Sequence, residues 1–481
     1  MHYECLPYEV YLLENRMFFS SLIFRRFAAI TVIALASLCV FSGVAQAEQA
    51  KPNVVVVIAD DLTWTDLGCY GGVNVETPRI DSIANAGLRF DSAYTATAMC
   101  APMRMQLYTG LFPVKSGAYP NHSRVYDGVQ SVVHYLGDLD YRVGLIGKTH
   151  FKPQESFPFE KINGNMAPDG DWSNVAEFIE RDEDEPYCLF VCSHEPHLPW
   201  NKGDATAFDP DELELTPQIL DTPEMRVALC RYYAEIAYLD QQVGEVLDLV
   251  DASSDIENTI FMFLSEQGAQ IPGAKWTCYT PGLHVGIVMR WPGQIEAGTT
   301  SDAMINYVDV VPTLIDAAGG EPIDGLSGRS FLGVIDGETD EHNEYAYGVQ
   351  TSMGAIGSPP TGYGVRSVQD REFRYVWNLT PEVEYANAVT VGDNEGYWSA
   401  WVELAETDEH ARFMVDRYIS RPGEELYDLE ADPYEMNNRA TDPAYTEKKA
   451  ALREKLEAWM EEQGDLGQAT ELDARSRQGR N

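Results

Sequence analysis

Asn53–Ala59 is an almost unbroken apolar, valine-rich run, the pattern of a strand buried on both faces of a sheet. Arg142–Ile146, Cys188–Cys192, Thr259–Leu264 and Val285–Arg290 repeat that pattern. Between them lie stretches with helical spacing of apolar positions: Arg79–Gly87, which ends on a glycine, Val129–Leu139 and the long Met225–Val250. Strands alternating with helices predict an α/β fold, a large mixed, mostly parallel sheet flanked by helices. The pattern changes after about residue 336. Gly337–Asn343 is a polar linker, Gly362–Ser367 and Phe373–Asn378 predict short antiparallel strands, and Tyr445–Gln463 predicts a helix. The expected organisation is a principal domain over 48–336, a smaller α+β subdomain over 337–466, and a flexible tail over 467–481.

In sheets of this kind, ligands collect beyond the carboxyl ends of the strands. Four polar clusters fall there: Asp60-Asp61, Gly147–His150, Ser193–His197 and Ser265–Gly268. The pattern predicts that they meet in one site.

Composition narrows the partners. Lys and Arg number 34 against 76 Asp and Glu, a net charge of −42, opposite in sign to a nucleic-acid-binding surface. Nucleic acid is therefore excluded as a partner. At the N-terminus, Arg25-Arg26 precede an apolar run from Phe27 to Phe41, and Ala45-Gln46-Ala47 is a small-residue cleavage signal. Residues 1–47 read as a signal peptide, with Met17 a second candidate start. The apolar run is short for a membrane span. The expected location is the periplasm or the medium, with no stable membrane span. Six cysteines follow the leader, widely scattered and without a zinc-ligand spacing. Disulfides are the first expectation for an exported chain, although Cys188 and Cys192 lie in a buried-strand context that plain packing explains.

Asp60-Asp61 at a strand end and the distant Glu266-Gln267 offer oxygen ligands of the kind that hard cations prefer. Taken singly, either pair reads as a solvated acidic turn; at neighbouring strand ends they read as a metal site. Cys100-Ala101-Pro102-Met103-Arg104 places a guanidinium close to a cysteine, and Lys148 and His150 sit on alternate positions facing one side. His197 and Lys275 add two more cationic groups. Any single Lys or His is more simply a surface or core residue. Together they describe a pocket for a tetrahedral oxyanion. His122, His194, Glu195 and His284 read individually as surface or packing residues.

These residues resemble the type I, formylglycine-dependent sulfatases of the alkaline phosphatase superfamily. The resemblance spans nearly the whole mature chain: Asn53–Asp61, Gly68-Cys69-Tyr70-Gly71, Thr77-Pro78-Arg79-Ile80-Asp81, Cys100–Arg104 with Tyr108-Thr109-Gly110, Tyr141–His150, Trp291-Pro292-Gly293, Asp309-Val310-Val311-Pro312-Thr313, and Glu425-Leu426-Tyr427-Asp428-Leu429 with Asp432-Pro433. It implies that a separate maturation enzyme oxidises Cys100 to formylglycine. One hydroxyl of the hydrated aldehyde then attacks sulfur, and the other lets the aldehyde re-form as sulfate leaves. It further implies that Asp60, Asp61, Glu266, Gln267 and residue 100 hold Ca²⁺, in preference to Mg²⁺. By the same resemblance Arg104 and Lys148 steady residue 100, His150 takes its proton, and His197 and Lys275 bind sulfate and serve the leaving oxygen.

The chain also departs from the family pattern. Glu266-Gln267 stands where the family has Asp followed by Asn or His, and Met103 replaces a small residue. The implied activity is hydrolysis of sulfate esters on a sulfated glycan. Asn378–Glu382 and Arg421–Glu425 lean toward the heparan N-sulfatase branch, whose scissile bond is S–N. A phosphonate or phosphodiester hydrolase of the same superfamily, and an inactive glycan-binding relative disabled at Glu266-Gln267, are the competing readings.

Overall fold

The computed structural model describes residues 51–182, 184–353, 359–393 and 395–478; the expected leader over 1–47 lies outside them. Nine strands form the main sheet: β1 (Asn53–Ile58), β2 (Leu88–Tyr94), β3 (Arg142–Gly147), β4 (Glu160–Lys161), β5 (Tyr187–Cys192), β6 (Thr259–Leu264), β7 (His284–Arg290), β8 (Thr299–Ser301) and β9 (Ile305–Asn306). Their order is β4-β3-β5-β1-β6-β7-β2-β8, with β9 pairing β2. The run β4-β3-β5-β1-β6 is parallel throughout, while β7 lies antiparallel to both β6 and β2. A run buried on both faces carries no mark of direction, so the apolar pattern of β7 could not separate it from its parallel neighbours. Strand β2, with a polar alternation on its burial, was not visible in the pattern.

The valines of β1 divide by parity. Val55 and Val57 join one core, with α1 (Pro78–Asn85) and the 29-residue α3 (Pro223–Asp251), while Val54, Val56 and Ile58 join the other, with α2 (Cys100–Thr109). Pro223 occupies the first position of α3, and the Thr222 hydroxyl accepts from the Met225 amide at 3.2 Å, a capped start. The expected helix over Val129–Leu139 is shorter, Val132–Gly137, begun by a capping box of Ser131 and His134.

Beyond residue 345 the chain builds a separate antiparallel sheet, β10 (Ala346–Gln350), β11 (Val365–Gln369), β12 (Phe373–Asn378) and β13 (Glu424–Asp428). Helix α4 (Thr446–Gln463) packs on β11. The expected flexible tail is instead helix α5 (Gln468–Arg477). Its Glu471 is fully buried and accepts from the amides of Ser352, Met353 and Tyr363 at 2.9, 2.8 and 3.2 Å. A polar sequence concealed this anchoring, because the buried member is itself a carboxylate. Among the described residues no helix is long and apolar enough to cross a membrane, and the six described cysteines are free thiols.

Candidate active site

The four expected clusters sit at the carboxyl ends of the adjacent strands β3, β5, β1 and β6. The ladder holds them together past the strand ends: the Lys148 amide donates to Cys192 O, Ser193 to Ile58 O, Asp60 to Glu195 O, each at 2.9 Å. Asp61 and His150 then take left-handed backbone, φ 65° and 51°, and so does Trp276 at 63°. Asp and His tolerate that region better than most residues, and three such residues at one site are the kind of strain that surrounding structure must hold in place. The turn at Asp61 lets both aspartates reach one point although they are adjacent on the chain.

That point is the start of α2. Cys100 is its first residue, so the side chain lies where the helix dipole and free amides favour negative charge. Its Sγ is 3.6 Å from Asp60 Oδ1, 3.8 Å from Asp61 Oδ1 and 3.4 Å from Gln267 Nε2. Burial and Glu266 push the thiol up, but Lys148, Lys275 and His150 outweigh them and hold it well below its ordinary range. Lys148 pairs with Asp60 Oδ2 and Lys275 with Asp61 Oδ2. Burial alone would discharge both lysines; the surrounding anions raise them instead and keep both cationic.

Arg104 is fully buried one helical turn beyond Cys100, and its Nε meets Glu266 Oε1 at 2.5 Å. Its Nη1 also donates to the Lys148 carbonyl at 3.4 Å. The structure thus sets Arg104 on Glu266 and the β3 end rather than directly on residue 100. His197 donates Nδ1–H to Leu198 O at 2.6 Å, which turns Nε2 to within 3.6 Å of Asp61 Oδ2. Burial opposes the charged ring, yet Asp61 raises it to about 9, so Nε2 carries a proton at neutral pH.

Asp60, Asp61, Cys100 and His197 place their ligand atoms within 4.8 Å of one another. The donor set around them fits a hard cation. Gln267 Nε2 points at Asp61 Oδ1 (2.5 Å), Glu266 Oε2 (3.0 Å) and Cys100 Sγ, while its buried Oε1 has no partner. Turned end for end, the amide would present Oε1 beside Asp61 and Glu266, as a further oxygen ligand for a cation held between them. Burial raises the Glu266 carboxyl even against the pull of Arg104, and three carboxylates meeting in one buried place supply the oxygen donors that a hard divalent ion takes.

The histidines outside the motifs behave differently from one another. His284 is buried and stacks on Trp64 at 4.0 Å, and burial with Arg374 lowers it to about 3; it packs. His122 is the exposed residue expected of it, and its Nδ1 lies 2.9 Å from His150 Nε2. Nothing in the sequence marks this, since the two are joined only by tertiary folding. The loop of His122 is braced by α5, where Arg477 donates to Gly117 O and Arg124 O at 3.0 and 2.8 Å.

A family model described as sulfatase matches residues 52–320, and one described as N-sulphoglucosamine sulphohydrolase, C-terminal, matches residues 274–376. The chain is 32% identical over 428 residues to an ulvan-active sulfatase of Formosa agariphila, covering 86% of this chain and 81% of that one. It is 27% identical over 480 residues to human N-sulphoglucosamine sulphohydrolase, covering 87% and 91%. Among solved structures, one described in complex with its substrate D-glucosamine-2-N,6-O-disulfate superposes with TM-score 0.65 at 21% identity, covering 86% of this chain and 99% of that one. A phosphonate monoester hydrolase of Agrobacterium radiobacter gives 0.66 at 18%, covering 87% and 96%. At these identities the two structures establish the shared fold.

Proposed function

The chain belongs to the sulfatase family of the alkaline phosphatase superfamily and is a sulfuric ester hydrolase; from that footing we propose that it desulfates a sulfated carbohydrate, using formylglycine made from Cys100 and a bound Ca²⁺. The observation that carries the reading is the start of α2, where residue 100 meets two aspartates and an amide inside a ring of Lys148, Lys275, His150 and His197. Hydrated formylglycine supplies a hydroxyl to attack sulfur and a second through which sulfate is released, and Ca²⁺ supplies Lewis acidity. Asp60, Asp61, Glu266, Gln267 and residue 100 are the groups that hold the ion. Lys148 and Lys275 neutralise sulfate oxygens in a site where burial strengthens each charge. His197 offers its Nε2 proton to the leaving oxygen, and His150 accepts a proton at residue 100.

The proposal includes export through the 1–47 leader and maturation by a separate formylglycine-generating enzyme. A second reading is cleavage of an S–N bond; it is favoured by the match of residues 274–376 to the C-terminal model described as N-sulphoglucosamine sulphohydrolase. The test is co-expression with a maturation enzyme, mass spectrometry of the Cys100 peptide, and sulfate release from O-sulfated glycosaminoglycan and ulvan fragments, N-sulfated glucosamine and a phosphonate monoester. Release from O-sulfated sugars is the expected result. Preference for the N-sulfate selects the second reading, and preference for the phosphonate overturns both. Binding without release at full modification identifies an inactive relative.

A further inference from the structure

The segment Ser193–Lys202 leaves β5 and carries His197 to the site. It has no regular structure of its own, so its position must come from what grips it. Helix α3 does so at both ends. At the start, Gln242 Oε1 accepts from Ser193 Oγ at 2.8 Å, and Ser193 Oγ accepts from the Glu195 amide at 2.9 Å. At the end, Glu235 Oε1 accepts from the amides of Asn201 and Lys202 at 2.5 and 3.0 Å. Tyr232, Glu235 and Gln242 share one face of the helix by their spacing. The Trp200 ring packs on Tyr232 at 5.3 Å, and its Nε1 donates to Pro196 O at 2.8 Å, which closes the loop around His197.

We propose that Glu235 is a positioning residue for His197, acting through the amides of Asn201 and Lys202. A fully buried glutamate is a costly way to fill space, because an apolar residue would do so without the desolvation penalty. Here one carboxyl oxygen satisfies two loop amides while Oε2 has no hydrogen-bond partner. Burial, helped by the neighbouring Glu195 carboxyl, lifts the group to about 7 against the pull of those amides, so a neutral carboxamide reproduces most of its chemistry. Small displacements of a reacting group cost large factors in rate, and the grip lies four residues from the imidazole. The role given to His197 rests on the sulfatase reading; the holding of the loop does not.

The experiment uses the full, matured chain with Glu235→Ala, Glu235→Met, which keeps the volume without the acceptor, and Glu235→Gln. Hydrogen exchange of the 194–202 segment should rise in the Ala and Met proteins and stay near wild type in the Gln protein. For sulfate release, kcat should fall about tenfold or more in the Ala and Met proteins with KM little changed, and recover in the Gln protein. In a His197→Ala background the Glu235 substitutions should cost nothing further. Unchanged loop exchange, or kinetic losses that multiply across the double mutant, would overturn the proposal. Wild-type protein fully modified at residue 100 that releases no sulfate defeats the sulfatase reading instead, and the exchange measurement still decides what Glu235 holds.

Discussion

Arg104 and Glu266 form an ion pair at 2.5 Å with both side chains wholly out of solvent. The pair joins the fourth residue beyond the start of helix α2 to the end of strand β6, so it locks residue 100 to half of the metal-binding set. Removing one partner strands a buried charge. Arg104→Met is expected to cost about 3–5 kcal/mol of stability, measured by denaturant unfolding. Arg104→Lys should recover little, because a point charge cannot hold both the carboxylate and the Lys148 carbonyl as the planar guanidinium does.

Chelation should lower the melting temperature and abolish turnover, with Ca²⁺ restoring both. Gln267→Leu, which removes the amide oxygen, is expected to weaken Ca²⁺ binding by about tenfold or more in calorimetry. Gln267→Glu should preserve binding. Unaltered affinity in the leucine protein would remove Gln267 from the ligand set.

His197→Ala should lower kcat by a factor of about 10²–10⁴, the usual worth of a general acid. The loss should be smaller for substrates whose leaving alcohol is already acidic, such as aryl sulfates. Equal losses for aryl and alkyl esters would contradict proton donation by His197.

Asp66 accepts a hydrogen bond from the Tyr232 hydroxyl at 3.0 Å, and burial raises it from 3.8 to about 7 despite that bond. The folded chain therefore holds a proton that the unfolded chain has lost between pH 3.8 and 7. Its contribution to stability is full below pH 3.8 and falls as pH rises to about 7, by roughly 4 kcal/mol at most. Asp66→Asn should flatten that part of the stability–pH curve, measured by urea unfolding at a series of pH values.

Ending the chain after Gly467 removes α5, and with it the acceptor for the Ser352, Met353 and Tyr363 amides and the Arg477 brace on the His122 loop. The shortened protein should lose several kcal/mol. The single change Glu471→Ala should reproduce much of the effect, about 3 kcal/mol, in thermal or denaturant unfolding.

The parallel strands and the ends where chemistry collects were legible because burial on two faces leaves an apolar run in the chain, and a turn at its end leaves polar residues. The motif around Cys100 was legible because its members lie within five residues. The polar residues of α5 read as a frayed tail, since a buried carboxylate and an exposed one look alike in sequence. Local pattern likewise said nothing of β7's direction, which is a property of its neighbours.

By itself the sequence determined the set of groups available: two adjacent aspartates, a modifiable cysteine, Arg104, Lys148, His150, His197, Glu266, Gln267 and Lys275, and the strands that bear most of them. Only the tertiary structure decided how those groups are shared. It gave Arg104 to Glu266, His122 to His150, and the loop of His197 to Glu235 on α3. The physical reason is that each of these pairings crosses between elements far apart along the chain. Its partners are chosen by packing and by the need to satisfy buried polar atoms, neither of which leaves a periodic mark on the chain.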